Sequence, residues 1–428
     1  MSMIKKHSWW RFLSRFALWS HVVGVIGFYA VIWWRTAPNK EDRVRKLPVR
    51  QSSVGQSEGL AGKSGEEVAR MSAAALSGAM VSVIVPARNE EQNIRRCVQS
   101  LLEQDYEWYE VIAVDDASTD ATYEILDELA RTHPNGKRLR IVRLDGLPEG
   151  WAGKPHAIHS GTQEARGEWL LLTDADTWHA PNALHSALTQ AQAEQMDMFT
   201  ISSTQILPTF WEKVAMPIAF LGISMQYPPK LVNDPLSPVA VANGQFILLR
   251  RDVYDAIGGY ARPELRNTLL DDRDLAHVVK ENGFKLHFVD GRDLVYVRMY
   301  KSLADLWRGW RKNSYLGSRG GLAFVLLQLF GLPMISVVPF LLPLLAWLTR
   351  TKRGEGISAT EANVATALEL VPLLAYRAWL DRQIKVPWYY AFTHALGGAI
   401  FEGILAQSTW RVLTGKGVDW RGRSYHKK

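Results

Sequence analysis

The chain has 428 residues, 47% of them hydrophobic, a net charge of +7 and one cysteine, Cys97. That length exceeds a single domain of roughly 100–200 residues, and a lone cysteine excludes an intrachain disulfide framework. The basic excess suits nucleic acid, an anionic membrane face or a phosphorylated substrate. However, Lys5, Lys6, Arg11, Arg15, Arg43, Arg45, Lys46, Arg421, Arg423, Lys427 and Lys428 flank apolar runs, which favours a bilayer and speaks against nucleic acid.

Ala17 to Trp34 approaches the roughly 20 residues a membrane span needs, with Trp9, Trp10, Trp33 and Trp34 as an interfacial belt. It reads as an anchor rather than a signal peptide, because the run is long and no small-residue cleavage site follows. Residues 51–80, rich in Ser, Gly and Ala, read as a linker with room for a short helix over Glu66–Leu76. Strands are then expected at Val81–Val85, Glu110–Val114, Leu139–Leu144 and Trp169–Thr173. The helix after the first strand presents Ile94, Val98, Leu101 and Leu102 on one face, with Cys97 as a small buried hydrophobe, and a second helix is expected near Ala121–Arg131. Such alternation predicts a parallel sheet with ligands at the carboxyl ends of its strands.

After Tyr300 come a Trp- and Arg-rich helix and three apolar segments, Leu322–Leu348, Val364–Leu380 and Trp388–Leu413. Keeping Arg350, Lys352, Arg353 and the basic tail cytoplasmic requires the first, broken by Pro333, Pro339 and Pro343, to enter and return while the others form a hairpin. The expected organisation is a membrane anchor over 1–50, a linker over 51–80, a catalytic domain over 81–320 and C-terminal membrane helices over 321–428. The chain is thus expected to be multi-pass in the cell (inner) membrane, its catalytic domain facing the cytoplasm.

Polar residues gather where the strands end. Pro86-Ala87-Arg88-Asn89-Glu90-Glu91 follows the first strand and Asp115-Asp116-Ala117-Ser118-Thr119-Asp120 the second. Each serves either as ligand-binding rim or as helix cap. Asp174-Ala175-Asp176 follows the fourth strand. Two carboxylates there suit a hard cation, Mg²⁺ or Mn²⁺, shared with substrate phosphates, the alternative being a turn.

In this order, VSVIVPARNEE, EVIAVDDASTD, GKPHA, LLLTDADT and LLDDRDLA resemble a family 2 glycosyltransferase over Val81 to about Arg319. The resemblance implies an α/β fold: a glycosyltransferase-A, Rossmann-like nucleotide-sugar-binding domain, here with N-terminal and C-terminal transmembrane or interfacial helices. It also implies inversion at the transferred sugar. By the same resemblance Pro86, Asn89 and Glu90 line the nucleoside pocket, Asp115 or Asp116 contacts base or ribose, and Asp174 and Asp176 hold ribose and metal. Lys154 approaches the diphosphate, unless it is an ordinary loop lysine. Asp272 is matched to the family's base and Asp271 to its neighbour, each able to raise the other's pKa; the plainer alternative is negative charge at a helix N-terminus.

Arg308 and Arg311 lie in Trp307-Arg308-Gly309-Trp310-Arg311-Lys312-Asn313, where processive members carry Gln-x-x-Arg-Trp. They either add to the diphosphate site or belong to an amphipathic surface helix. That departure argues against a processive polysaccharide synthase. The stretch, the C-terminal apolar segments and Val418 to Tyr425 are similar to the branch that glycosylates isoprenoid lipids, which includes hopanoid-associated and carotenoid-acid glycosyltransferases. Phe210–Tyr227 is then either an acceptor path from the bilayer or a packing helix. The expected partners are a nucleoside-diphosphate sugar, with UDP as the carrier, a membrane lipid acceptor and the bilayer. A polyprenyl-phosphate sugar transferase is the alternative enzyme, and a catalytically idle scaffold of the same fold the non-enzymatic one.

Overall fold

The structure, a computed structural model, describes residues 2–36, 43–44, 78–318, 321–348, 357–415, 418–420 and 423–425. The linker up to residue 77, the Glu66–Leu76 helix and the basic loop at 350–353 lie outside the described residues. The chain divides into an α/β unit, Pro38–Ile206 with Pro229–Met299, and a helical unit, Met1–Ala37 with Leu207–Pro228 and Tyr300–Lys428.

The strands of the α/β unit are, in chain order, β1 (Val81–Ala87), β2 (Tyr109–Asp115), β3 (Leu139–Arg143), β4 (Trp169–Leu172), β5 (Thr177–His179), β6 (Met198–Ser202), β7 (Thr204–Gln205), β8 (Ile247–Arg250), β9 (Leu286–Asp290) and β10 (Val295–Val297). Seven form one sheet in the order β3-β2-β1-β4-β8-β6-β9, and β5-β10-β7 form a small second sheet. The four strands predicted from sequence are present and pair with one another in parallel. The expectation of a parallel sheet is corrected at β8, which runs antiparallel to both β4 and β6. Strand-helix-strand crossovers enforce parallel pairing, but between β6 and β8 the chain instead passes through Leu207–Pro228 of the helical unit.

Both faces of the central strands are covered, as their continuous apolar runs require. Val83, Val85, Val111 and Ala113 share a core with Ile94, Cys97, Val98, Leu101, Leu126, Leu184 and Leu188. The alternate residues face the other way: a Cβ at Gly161, on helix Gly153–Glu164, would meet Ile84, Val114 and Ile112. That close approach brings the helix start, with Lys154, to the carboxyl end of the sheet. Cys97 is fully buried, and burial pushes its thiol pKa up, so it packs as a hydrophobe.

In the helical unit, helix Ser2–Thr36 buries Leu18, Val22, Val25, Tyr29 and Ile32, a stripe at three- and four-residue spacing. Part of this stripe joins Leu221, Leu373, Tyr376 and Leu380 in one cluster, while Phe12, Phe16, Val23 and Trp34 stay exposed. Residues Phe12–Thr36 are long and apolar enough to cross a membrane, and Gly321–Ser336 with Val338–Leu344, bent by 53°, are so only as a pair. The expected spans at 364–380 and 388–413 fall short by that measure. Helices Ala359–Gln383 and His394–Leu413 carry Glu369, Arg377, Asp381 and Glu402, which lower their hydropathy.

Prolines shape this unit. Proline has no N–H, so the carbonyl four residues earlier loses its helical partner. Pro217 frees the carbonyl of Lys213, which accepts a hydrogen bond from Arg377 Nη2 at 2.9 Å. At the end of helix Gly321–Ser336, where the last carbonyls have no helical partner, Ile335 O accepts from the Tyr29 hydroxyl at 3.4 Å and Met334 O is met by His21 Nε2 at 3.0 Å. Arg377 also pairs with Asp381 at 2.8 Å, their side chains 1% and 0% exposed.

Replacing one partner of a buried ion pair strands the other. Arg377→Met should therefore destabilise the protein by about 3–5 kcal/mol, read from unfolding in detergent, and R377M/D381L should recover part of that loss. An unchanged melting temperature in Arg377→Met would show that neither its pairing with Asp381, within one helix, nor its bond to Lys213 O stabilises the unit.

Candidate active site

The loops that follow β1 and β2 are knitted together. Asn89 N donates to Ser118 Oγ at 3.0 Å, and Asn89 Oδ1 accepts from Thr119 N at 2.8 Å. Glu90 N donates to Thr122 Oγ1 at 2.8 Å, Glu91 N to Asp120 Oδ2 at 3.1 Å, and Arg88 to the carbonyls of Asp116 and Ala117. Asn89 and Ala117 take left-handed backbone, φ 53° and 51°, which costs a residue with a side chain about 1 kcal/mol or more. The network holds both in place.

Within this framework the residues expected to line a nucleoside pocket divide. Pro86 lies beyond Ile84, where the ladder to β4 stops, so its missing N–H breaks no pairing there. The Asn89 side chain is engaged in the loop, and Glu90, 8% exposed, accepts from Asn93 Nδ2 at 2.8 Å. Asp115 is fully buried, accepts from Ser118 N at 3.2 Å and faces Arg143 at 3.7 Å, while Asp116 is 3% exposed at the strand end.

Four expected site residues come together around one ammonium. Lys154 Nζ lies 2.7 Å from Asp174 Oδ1 and 2.9 Å from Asp271 Oδ2. Asp272 stands beside them, its Oδ1 accepting from Arg273 N at 2.8 Å and its Oδ2 from Gly244 N at 3.2 Å. They arrive from three elements: Lys154 from the first turn of helix Gly153–Glu164, Asp174 from the end of β4, and Asp271 and Asp272 from the first turn of helix Asp271–Glu281. Burial alone would lower the Lys154 pKa, but Asp174, Asp271 and Asp272 hold it well above its ordinary value. Burial first, then the Asp271 charge, pushes the Asp272 carboxyl up to about 6 against the pull of Lys154. A carboxylate with raised proton affinity beside a fixed cation is suited to take a proton near neutral pH.

Asp176 is half-buried, and its charge acts on Arg96. The Arg96 guanidinium lies 3.6 Å over the ring of Trp178, which stacks on Tyr296 with centroids 5.5 Å apart, so the strand after Asp176 is clamped on both sides. Among the described residues no group of three or more His, Cys, Asp or Glu side chains is arranged to hold an ion. Arg308 and Arg311 belong to helix Leu303–Leu316 of the helical unit. There Arg308 meets Asp305 at 3.3 Å and Arg311 meets Gln407 at 3.5 Å.

Sequence reading did not single out Gly244, Arg96, Trp178 or Tyr260, whose hydroxyl donates to the Asp271 carbonyl at 3.3 Å. Only Asn243-Gly244 carries a local signal, as a turn dipeptide.

The description "Glycosyl transferase family 2" matches residues 82–258. A 4,4'-diaponeurosporenoate glycosyltransferase of Staphylococcus aureus is 23% identical over 81% of this chain and 88% of its own length. A beta-monoglucosyldiacylglycerol synthase of Nostoc sp. is 30% identical over 48% of this chain and 41% of its own. Among solved structures, the mannosyltransferase PcManGT from Pyrobaculum calidifontis in complex with GDP-Man and Mn²⁺ aligns with TM-score 0.47 and 20% identity over 76% of this chain and 88% of that one. The segment similar to glycosyl transferase family 2 runs from β1 through Lys154 and Asp174 to Gly258.

Proposed function

We propose that the chain transfers one sugar from a nucleoside-diphosphate sugar, with UDP as carrier, to a hydroxyl of an isoprenoid-type membrane lipid, inverting the anomeric centre. The observation that carries this reading is Lys154 held between Asp174 and Asp271 with Asp272 beside them. Asp272 takes the acceptor proton as the acceptor oxygen attacks from the side opposite the diphosphate. Lys154, a compact charge, stabilises the negative charge that grows on the departing diphosphate. Asp115 or Asp116 at the end of β2 receives ribose or base, and Pro86, Asn89 and Glu90 shape the loop beside them.

Asp174 and Asp176 fit a divalent ion of the oxygen-loving kind. Two carboxylates are the protein share that Mg²⁺ or Mn²⁺ takes when substrate phosphates and water complete the shell, and the described residues offer no all-protein cage. When bound, such an ion supplies charge neutralisation to the leaving diphosphate.

The lipid acceptor is supported by the similarity to a 4,4'-diaponeurosporenoate glycosyltransferase and a beta-monoglucosyldiacylglycerol synthase. The apolar helix Phe12–Thr36 and its exposed aromatic residues support membrane attachment, and we extend this to a multi-pass protein with its catalytic domain, 81–320, facing the cytoplasm. The carotenoid-acid relative favours a second reading, an acid acceptor. A carboxylate or phosphate attacks without a base.

Asp272→Asn separates the two. Transfer to a hydroxyl acceptor should fall by roughly 10²–10⁴-fold, whereas undiminished transfer would point to an acid acceptor. With a hydroxyl acceptor, kcat/KM should drop as pH falls through about 6, because protonation of Asp272 removes the base; a flat profile from about one unit below that value to about two units above it would exclude Asp272. Asp176→Ala should weaken Mn²⁺-dependent UDP binding about tenfold or more in calorimetric titration, and equal binding by variant and wild type would remove Asp176 from the metal site.

A further inference from the structure

The chain turns over the rim of the sheet after β4, and the two carboxylates of that turn act on opposite sides. Asp174 meets Lys154, whose helix packs on the sheet face that carries Ile84, Ile112 and Val114. Asp176 acts on Arg96, whose helix Ile94–Leu102 shares a core with Val83, Val85, Val111 and Ala113 on the other face.

On that second side the small sheet builds a platform. β5 and β10 pair antiparallel, Thr177 with Val297 and Trp178 with Tyr296. Thr177, His179, Val295 and Val297 are buried, so Trp178 and Tyr296 share the opposite, half-buried face, where their rings stack. Carried one residue further, the same register sets Arg298 opposite Asp176 on the Trp178 side. Arg96 covers the platform, its guanidinium carbon 3.6 Å from the Trp178 ring centroid. Stacking uses the face of a guanidinium and leaves its N–H edge open to an oxyanion.

Neither arginine is neutralised. The neighbouring Arg95 pairs with Glu128 at 2.6 Å, but among the described residues Arg96 and Arg298 have no carboxylate within ion-pair reach, and Arg298 Nε is buried without a hydrogen-bond partner. Burial lowers the Arg96 pKa, Asp176 opposes this and Arg298 adds to it, so the two guanidiniums are near enough to repel. An oxyanion held by both would offset the repulsion and satisfy the orphaned N–H.

We propose that Arg96 and Arg298, on the platform of Trp178 and Tyr296, bind an oxyanion, phosphate or carboxylate, at the head of the acceptor lipid. This rests on the nucleotide-sugar reading above and sharpens its acceptor. Lys154 answers the diphosphate on one side of the Asp174-Ala175-Asp176 turn, so the cations on the other side serve the second reactant. Rings beside two cations suit an acid at the end of an apolar chain: the rings cover carbon while the guanidiniums hold oxygen.

The test is titration of the full chain in detergent with farnesyl phosphate, retinoic acid and farnesol, isoprenoid probes with a phosphate, a carboxylate and a neutral head, and with UDP and GDP in the presence of Mn²⁺. Wild type should bind at least one acid about tenfold or more tightly than farnesol, and the tighter acid identifies the oxyanion. Arg96→Gln and Arg298→Gln should each weaken that acid about tenfold, while farnesol and the nucleotide that binds wild type change by less than about threefold. Arg298→Lys, which keeps the charge without the fork, should lose less than Arg298→Gln. Thermal unfolding reports which variants fold, and either arginine alone decides the matter if the variant at the other does not. Equal binding of both acids and farnesol by wild type, or acid binding unchanged in the Gln variants, would overturn the site. Equal loss of acid and nucleotide would assign the arginines to the diphosphate, overturning the acceptor role and leaving the nucleotide-sugar reading standing. If wild type binds neither UDP nor GDP, the nucleotide-sugar reading falls, and the acceptor role with it.

Discussion

The ammonium of Lys154 is the joint of the α/β unit. Three carboxylates, Asp174, Asp271 and Asp272, converge at the carboxyl end of the sheet from β4 and from helix Asp271–Glu281. Three like charges at such range repel one another strongly in a partly buried setting. Lys154 offsets that repulsion with contacts of 2.7 and 2.9 Å, and it stays charged because the same carboxylates outweigh its burial. The cluster thus fixes the relative positions of two helix starts and one strand end. In the proposed function a nucleoside diphosphate meets the cation that already organises the site, so binding and architecture would draw on the same charge.

The helical unit shows the same economy with carbonyl groups. Pro217 opens a helical turn and another helix ends at Ser336, and Arg377 and Tyr29, from other helices, reach the oxygens left without helical partners. Polar residues in apolar helices are costly unless partnered, and these have defined partners across helices. That explains why Ala359–Gln383 carries Glu369, Arg377 and Asp381 and is correspondingly less apolar than a plain span. Helix Ser2–Thr36 likewise has an inner stripe packed on its neighbours, a role beyond anchoring.

Much of this was legible in the sequence for physical reasons. Continuous apolar runs marked β1, β2 and β4 because central strands are buried on both faces, and the carboxylates at their ends stood out because charge is rare beside such runs. The direction of β8 was hidden, since Phe246–Leu249 reads the same either way and its connection leaves the α/β unit altogether. Asn89 and Glu90 were recognisable as rim residues, but their hydrogen bonds to the loop after β2 depend on a pairing of distant segments. Gly244 stood out only as half of a turn dipeptide, because the side chains that crowd it, Lys154, Asp174 and Asp272, are distant in sequence. Likewise the clamp of Arg96 and Tyr296 on Trp178 joins three segments that no local pattern connects.

The central claim is that the Lys154 cluster is a site of sugar transfer to lipid. The most direct measurement offers radiolabelled UDP-sugars and GDP-sugars to membranes containing either the wild-type chain or Lys154→Met, together with lipids extracted from the host, and follows label into the organic phase. A labelled lipid formed by the wild type and absent with Lys154→Met is the predicted result. Label incorporated equally by both chains, or by neither from any donor, would contradict the account.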